Sequence, residues 1–126
     1  MSQSSIAPSI VVDYRKNRIR IHKNTLHELG NPTFVQLLVN PKERSLAVQN
    51  CQASDPTAHR IPSSIYEGKA SCEIYSRSLM QQLLYCSDWS NDSVYRMYAS
   101  AFIDKHSLVF RIDDSIAIDT SGSEGM

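Results

Sequence analysis

The stretch "VVDYRKNRIRIHKNTLHELG", residues Val11–Gly30, carries the clearest structural pattern of this chain. It opens with β-branched residues, which favour strands. After a short turn at Lys16–Asn17, the segment Arg18–Lys23 alternates apolar and polar residues with the period of a β-strand. A helical phrase follows and ends at Gly30, a residue that commonly stops helices. The stretch therefore predicts a β-hairpin that leads into a short helix.

The residues after Gly30 predict a second hairpin. "TFVQLLV" and "SLAVQN" have strand composition and are joined by the turn-forming "NPKER". Within the preceding helix, Thr25 and Glu28 have the spacing of a capping box, so we expect Thr25 to cap that helix. The first fifty residues thus predict the order strand, strand, helix and hairpin.

The same order recurs in the second half of the chain. "IPSSIY" and "ASCEIYS" are strand-like around a Gly68 turn, and "SLMQQLLY" begins with the capping-box spacing of Ser78 and Gln81. "VYRMYASAFI" and "SLVFRI" then predict a hairpin. In the alignment of the halves, Ile21 lies over Ile74. One copy of about fifty residues buries too little surface to be stable alone, so two copies are expected to share a core.

These patterns predict a β-rich α+β fold in which two repeats form a small barrel about a pseudo-twofold axis. The predicted boundaries are repeat one at 9–50, a polar linker at 51–58, repeat two at 59–118, and a disordered tail at 119–126. Residues 9–118 together would form a single domain.

Bulk composition places the chain among ordinary globular proteins. It has 126 residues, 41% hydrophobic and 21% charged, with no net charge at pH 7. No run of about 18 apolar residues is present, so no membrane span is expected. The N-terminus has no signal-peptide pattern. Three cysteines without a CxxC pair are typical of reduced thiols, so a cytoplasmic location is expected.

The zero net charge hides an uneven distribution. Residues 1–58 carry seven basic and four acidic side chains, so the front half is positive and the back half negative. Five of these cations fall in one stretch that contains no acid, and one more lies in the corresponding turn of the second half. The predicted nucleic-acid-binding residues are Arg15, Lys16, Arg18, Arg20, Lys23 and Lys69. The alternatives are a site for an acidic protein surface or a solvated strand face without a partner.

Catalytic and metal-binding patterns are absent from the sequence. It contains no GxSxG, P-loop, GxGxxG or HExxH motif, and its cysteines and histidines lack metal-ligand spacing. We therefore expect no enzyme activity, no cofactor, no metal site and no small-molecule substrate. Trp89 lies in the polar phrase "CSDWSND" and is a candidate for protein contact, although a role in closing one end of the barrel is the alternative.

Residues Asp13, Arg18, Ile19, Ile21, Leu26, Leu29 and Gly30 resemble the motif of the AbrB/SpoVT-like swapped-hairpin family of bacterial DNA-binding proteins. The resemblance covers 9–50 well and 59–118 loosely. Members of the family usually interleave two copies into a small barrel, and this chain looks like two copies fused. It departs from the family in the turn, where Lys16-Asn17-Arg18 replaces Gly-Arg, and in lacking the Ile-Pro that opens the family helix.

The resemblance implies a non-enzymatic, bacterial or phage DNA-binding regulator that contacts double-stranded DNA through the basic hairpin of repeat one. The second copy has Glu67 and Glu73 around Lys69, so it keeps little of the basic face. The alternative function is a small protein-binding module, such as a phage or mobile-element inhibitor of a host nucleic-acid enzyme. A monomer or a homodimer is compatible with either function.

Overall fold

The computed structural model of the chain describes residues 7–104 and 106–118, and within them it contains nine strands, two α-helices and two 3-10 helices. The strands are β1 (Ser9–Asp13), β2 (Arg18–His22), β3 (Phe34–Asn40), β4 (Ser45–Asn50), β5 (His59–Arg60), β6 (Ser71–Ile74), β7 (Val94–Asp104), β8 (Ser107–Arg111) and β9 (Ile116–Ile118). The α-helices are α1 (Lys23–Glu28) and α2 (Arg77–Tyr85), and the 3-10 helices are Ser63–Glu67 and Ile112–Asp114. The predicted β-rich α+β class is confirmed.

All strand pairs in the described residues are antiparallel, and they form one sheet in the order β5-β3-β4-β8-β7-β1-β2-β6. The ninth strand, β9, is added beside the start of β7. The sheet curls into a nearly closed eight-stranded barrel. Because β5 and β6 are the two ends of the strand order, the remaining gap lies between them.

The inward residues of most strands form the core, as the alternating pattern predicts. On β1 and β2 the side chains of Ile10, Val12, Ile19 and Ile21 are fully buried. Their counterparts on β4 and β8 are Leu46, Val48, Leu108 and Phe110. Burying each such side chain contributes about 1.5–3 kcal/mol, so the barrel interior is the main source of stability.

The first helix begins earlier than the capping-box pattern predicts. His22, the last residue of β2, is its N-cap, and Nδ1 of His22 accepts a hydrogen bond from the Asn24 N–H at 3.1 Å. Thr25 is instead buried inside α1, where its hydroxyl donates to the carbonyl of Ser9 at 2.8 Å. The capping role predicted for Thr25 is therefore wrong, because β2 runs directly into the helix. The predicted stop is present, since Gly30 has a positive φ of 85°.

The second helix differs from its prediction in the same way. Ser76 is the N-cap of α2, and its hydroxyl accepts from the Leu79 N–H at 3.3 Å. Ser78 and Gln81 therefore lie within the helix, and their predicted capping box is wrong. Both errors have one cause: an imidazole three residues upstream of Thr25, or a hydroxyl two residues upstream of Ser78, accepts from the first free N–H groups of the helix.

The predicted strand "IPSSIY" is also wrong. The chain forms the two-residue β5 and then the 3-10 helix Ser63–Glu67, which Pro62 precedes and Gly68 ends with a φ of 139°. Proline has no N–H to donate to a sheet ladder, so a strand is broken at this point. As a result, among the strands that the structure describes, β5 pairs only with β3 and β6 pairs only with β2.

The remaining segments complete the description. The predicted linker 51–58 forms turns between β4 and β5. The short strand β9 was not predicted from the sequence, and it pairs with residues Val94–Arg96 of β7. The disordered tail predicted at 119–126 lies outside the described residues.

The two halves of the chain contact each other through both backbone and side chains. β1 pairs with β7, β2 with β6 and β4 with β8. The buried hydroxyl of Tyr14, just after β1, donates to the carbonyl of Met80 on α2 at 2.7 Å. Burial raises the pKa of Tyr14, which keeps this hydroxyl protonated. The halves therefore share one core.

The Tyr14–Met80 bond provides a test of this packing. Replacing Tyr14 with Phe should lower the free energy of unfolding by about 1 kcal/mol, because one buried hydrogen bond is lost while the ring is kept. Tyr85→Phe is the matched control, since Tyr85 is 90% exposed. Urea denaturation followed by circular dichroism measures both. Equal stability of the two variants would contradict a structural role for this bond.

Candidate functional site

The outer face of the sheet brings together cations from both halves of the chain. Outward positions on β2 hold Arg18, Arg20 and His22, since Ile19 and Ile21 point inward. Val11 of β1 is paired with Arg20 on one side and with Arg96 of β7 on the other. Adjacent strands lie about 4.8 Å apart. The backbones of Arg20 and Arg96, which lie in one row with Val11 between them, are therefore roughly 10 Å apart.

His22 lies among these cations. Desolvation lowers the pKa of its imidazole, and the charges of Lys23, Arg96 and Arg20 lower it further. These three cations therefore lie close enough to His22 to act on its charge. We call the set Arg20, His22, Lys23 and Arg96 the cationic face.

Arg18 is on the same side of the sheet but is largely neutralised. Its guanidinium donates to Glu73 Oε2 at 2.8 Å and lies 3.8 Å from Asp13 Oδ2. Only 17% of its side chain is exposed. The Tyr75 hydroxyl, followed by the positive charges of Arg18, Arg20 and Lys69, holds the pKa of Glu73 below its ordinary value. Arg18 therefore acts as the counter-ion of the two nearby carboxylates.

Arg20 differs from Arg18 although both are outward residues of β2. It is paired in register with Glu73, yet it makes no ion pair within the described residues. Its Nε is buried and has no hydrogen-bond partner there. Because Glu73 is engaged by Arg18 and Tyr75, the charge of Arg20 is not locally compensated by an ion pair.

The other predicted basic residues lie outside the strands. Arg15 and Lys16 are exposed in the β1–β2 turn, where their backbone N–H groups donate to Asp13 Oδ1 at 2.9 and 3.0 Å. Asn17 completes this turn with a φ of 53°. Lys69 is exposed just before β6. Because β1 and β2 are internal strands of the sheet, the basic hairpin predicted for repeat one presents its cations on the outer face of β2 and in the β1–β2 turn.

Arg96 is the functional candidate that sequence reasoning missed. It occupies an outward position between the buried residues Tyr95 and Met97, so the alternation of β7 does mark it as surface. Nothing in the sequence gives the register of β7 against β1, however, and that register places Arg96 beside Arg20. Tyr98 and Ile116, both partly exposed, flank Arg96 on the same face.

Trp89, the predicted protein-contact residue, is engaged within the fold. Its ring stacks on Tyr95 at 4.6 Å and meets the edge of Tyr14 at 6.2 Å, and its Nε1–H donates to Ser115 Oγ at 2.9 Å. These contacts pack Trp89 against the core, and its alternative role in closing one end of the barrel stays a prediction. Trp89 is half-buried, so protein contact through its exposed edge stays a prediction.

No metal centre is assembled in the described residues. They contain no group of three or more His, Cys, Asp or Glu side chains able to hold a metal ion. Burial raises the pKa of the Cys51, Cys72 and Cys86 thiols, which opposes a nucleophilic role. An open groove of about 550 Å³ lies between the β1–β2 turn and the start of α2, with Asn17 and Arg77 among its lining residues.

Comparison of the chain with models of known protein families, with curated proteins and with solved structures finds no match. Among the described residues, no helix is long and apolar enough to cross a bilayer.

The environment of His22 predicts acid sensitivity. Its pKa in the folded protein is lowered below 6.5, so the unfolded chain binds the proton more readily. The stability contributed by neutral His22 is full above pH 6.5 and is lost as the pH falls through the lowered value. Protonation also removes the acceptor that caps α1. Urea unfolding of the native protein should therefore show a lower midpoint at pH 5.5 than at pH 7.5.

His22→Asn is the variant that isolates this effect, because asparagine can cap a helix but does not titrate. Its midpoint should change less between the two pH values than that of the native protein. Part of the change should remain, since burial also lowers the pKa of His59. The same pH dependence in both proteins would show that His22 is not responsible.

Proposed function

We propose that the protein is a non-enzymatic, double-stranded DNA-binding regulator that contacts phosphates through the cationic face and the β1–β2 turn. The observation that carries this proposal is the cation row formed by Arg20 and Arg96 beside Lys23, where Arg20 has no ion-pair partner in the described residues. Phosphate binding would compensate charges that the fold brings together.

The fold supports this use of the face in two ways. The cations stand on adjacent paired strands, so their spacing is fixed by the sheet rather than by a loop. The nearby carboxylates of Asp13 and Glu73 are engaged by Arg18 and by the turn, which leaves the cationic face net positive. A rigid positive surface of this kind binds the duplex backbone with a strong salt dependence.

We further propose that the barrel is built from two swapped-hairpin repeats, and the strand pairings support this. In this scheme each strand of repeat one has one equivalent in repeat two: β5 for β1, β6 for β2, β7 for β3 and β8 for β4. Then the pair β1–β7 corresponds to β3–β5, and β3–β4 corresponds to β7–β8. The pairs β2–β6 and β4–β8 each correspond to themselves. The pair β1–β2 has no counterpart, because β5 does not reach β6.

This correspondence has a consequence for DNA recognition. Across the β2–β6 pair, Arg20 lies opposite Glu73, so the repeat-two equivalent of a cation is an acid. A twofold-symmetric reader would present matching basic faces to both halves of a palindrome. A monomer of this chain presents one, so we expect it to bind a single site without palindromic symmetry.

A salt titration with matched charge variants tests the proposal. Arg20→Gln combined with Arg96→Gln should weaken binding to a fluorescent duplex in anisotropy measurements. The slope of log K against log salt should shrink by about 2, since each lost phosphate contact accounts for roughly 0.9. Lys42→Gln combined with Arg60→Gln removes the same charge from exposed positions elsewhere and should have a smaller effect on the slope.

Equal slopes for the two double variants would show that the cationic face does not bind the duplex. The absence of any duplex binding by the native protein at low salt would reject the DNA-binding function as a whole.

A protein partner is the second candidate function, and the composition of the same face favours it. Tyr98 and Ile116 are 40% and 56% exposed beside Arg96, and arginine with exposed tyrosine is the usual make-up of protein-contact hot spots. Retention of a defined protein by the immobilised chain after nuclease treatment supports this function if the Arg20–Arg96 double variant loses that protein.

A further inference from the structure

The outer edge of β6 is unpaired in the described residues. β6 is hydrogen-bonded to β2 on one side and ends the strand order on the other. The strand that could have covered it, β5, has two residues and pairs only with β3. The gap in the barrel therefore exposes one edge of a four-residue strand.

One backbone hydrogen bond shows which residues of β6 direct their N–H and C=O groups toward the gap. The Lys23 N–H donates to the carbonyl of Ala70 at 2.9 Å, and Lys23 and Ala70 continue the β2–β6 register. In an antiparallel pair, backbone groups alternate between the two sides of a strand. Cys72 and Ile74 therefore direct their backbone N–H and C=O groups toward β2. Ser71 and Glu73 direct the same groups toward the gap. In the described part of the chain, the one hydrogen bond to these gap-facing backbone groups runs from the Cys72 thiol to the Glu73 carbonyl at 4.0 Å.

A groove of about 550 Å³ runs along this edge. One wall is the 3-10 helix, represented by Ser64 and Ile65, and the other is β6 with Ser71 and Glu73. The edge thus faces an open channel instead of being covered. Because the 3-10 helix forms the second wall, the channel suits a single extended chain better than the edge of another sheet.

The repeat correspondence indicates what such a chain would look like. The alignment of Ile21 with Ile74 places Arg18 over Ser71 and Arg20 over Glu73. In repeat one, Asp13 and Val11 of β1 are the partners of Arg18 and Arg20. The channel beside β6 is therefore the counterpart of the position that β1 fills in repeat one.

Charge complementarity indicates one further residue type in the segment that would bind beside β6. By the β1 register, an acidic residue equivalent to Asp13 would lie opposite Ser71 and diagonal to Lys69, within reach of a long side chain. Lys69 is exposed and has no ion pair in the described residues. Glu73 does not oppose this contact, because its carboxylate is bound by Arg18 and Tyr75.

We infer that the β6 edge binds an extended segment of a partner protein as an additional antiparallel strand. The segment carries β-branched residues at alternate positions, as Ile10 and Val12 do in β1, and an acidic residue placed to pair with Lys69. Main-chain bonds to Ser71 and Glu73 supply affinity, and the alternating side chains supply specificity. The inference rests on the proposed repeat correspondence and is independent of DNA binding.

The chain's own first strand supplies the probe. A fluorescent peptide with the sequence of Ser9–Arg15, "SIVVDYR", should bind the full-length protein saturably in anisotropy measurements. N-methylation at Val11 and Asp13 removes the two donors that would face β6 and should weaken binding about tenfold. N-methylation at Ile10 and Val12 alters the opposite edge of the peptide and should change binding by less than about twofold.

Protein variants locate the site. Ser71→Pro removes an edge donor at a position where a strand tolerates proline, and it should abolish peptide binding while duplex binding is unchanged. Lys69→Glu should weaken binding of the peptide severalfold. A peptide with Asn in place of Asp13 should bind the native protein and the Lys69→Glu variant with similar affinity. Circular dichroism establishes that each variant is folded, and the two peptide controls need no change in the protein.

Four outcomes would overturn the inference. One is no saturable binding of the peptide, and another is equal weakening by the two methylation patterns. The third is binding that Ser71→Pro does not affect, which would place the peptide in the native position of β1. Self-association that Ser71→Pro abolishes would assign the edge to a second copy of the chain instead.

Discussion

The antiparallel pairing of β1 with β7 is the constraint on which the rest of the structure depends. It joins the first strand of the chain to a strand near its far end, with Ile10 opposite Met97 and Val12 opposite Tyr95. All four side chains are buried, so the same pairing connects the backbone and the core. Without it the β1–β2 hairpin would have an open edge, and an isolated hairpin is marginal in water. The position of Arg96 beside Arg20 is a direct result of this pairing.

Local pattern predicted most of the elements, because strands and hairpins leave a periodic signal. The alternation of "RIRIHK" gave β2, and the hairpins β3–β4 and β7–β8 followed from strand composition and turn residues. Contacts between distant segments left no such signal. The register of β7 against β1, and therefore the role of Arg96, depends on packing that no short window contains. The segment "IPSSIY" failed for the opposite reason, since its composition favoured a strand while Pro62 prevented one.

The placement of Glu73 determines how charge is distributed over the outer face. In register it lies opposite Arg20, but its carboxylate binds Arg18 and the Tyr75 hydroxyl. Glu73 therefore neutralises Arg18 and leaves Arg20 without an ion pair in the described residues. The sequence shows five cations in one stretch, and the structure gives them three different surroundings. Arg18 is neutralised, Arg15 and Lys16 lie in the β1–β2 turn, and Arg20 and Lys23 belong to the cationic face. A count of charges could not have made this division.

The pairing of the first strand with a late one also has a consequence for synthesis on the ribosome. Chains grow at about 5–20 residues per second, so β1 waits several seconds before β7 is made. During this interval Ile10 and Val12 have β2 on one side and no strand on the other. The nascent chain therefore carries an exposed apolar edge until β7 has been made, and the barrel can close only after that strand is available for pairing.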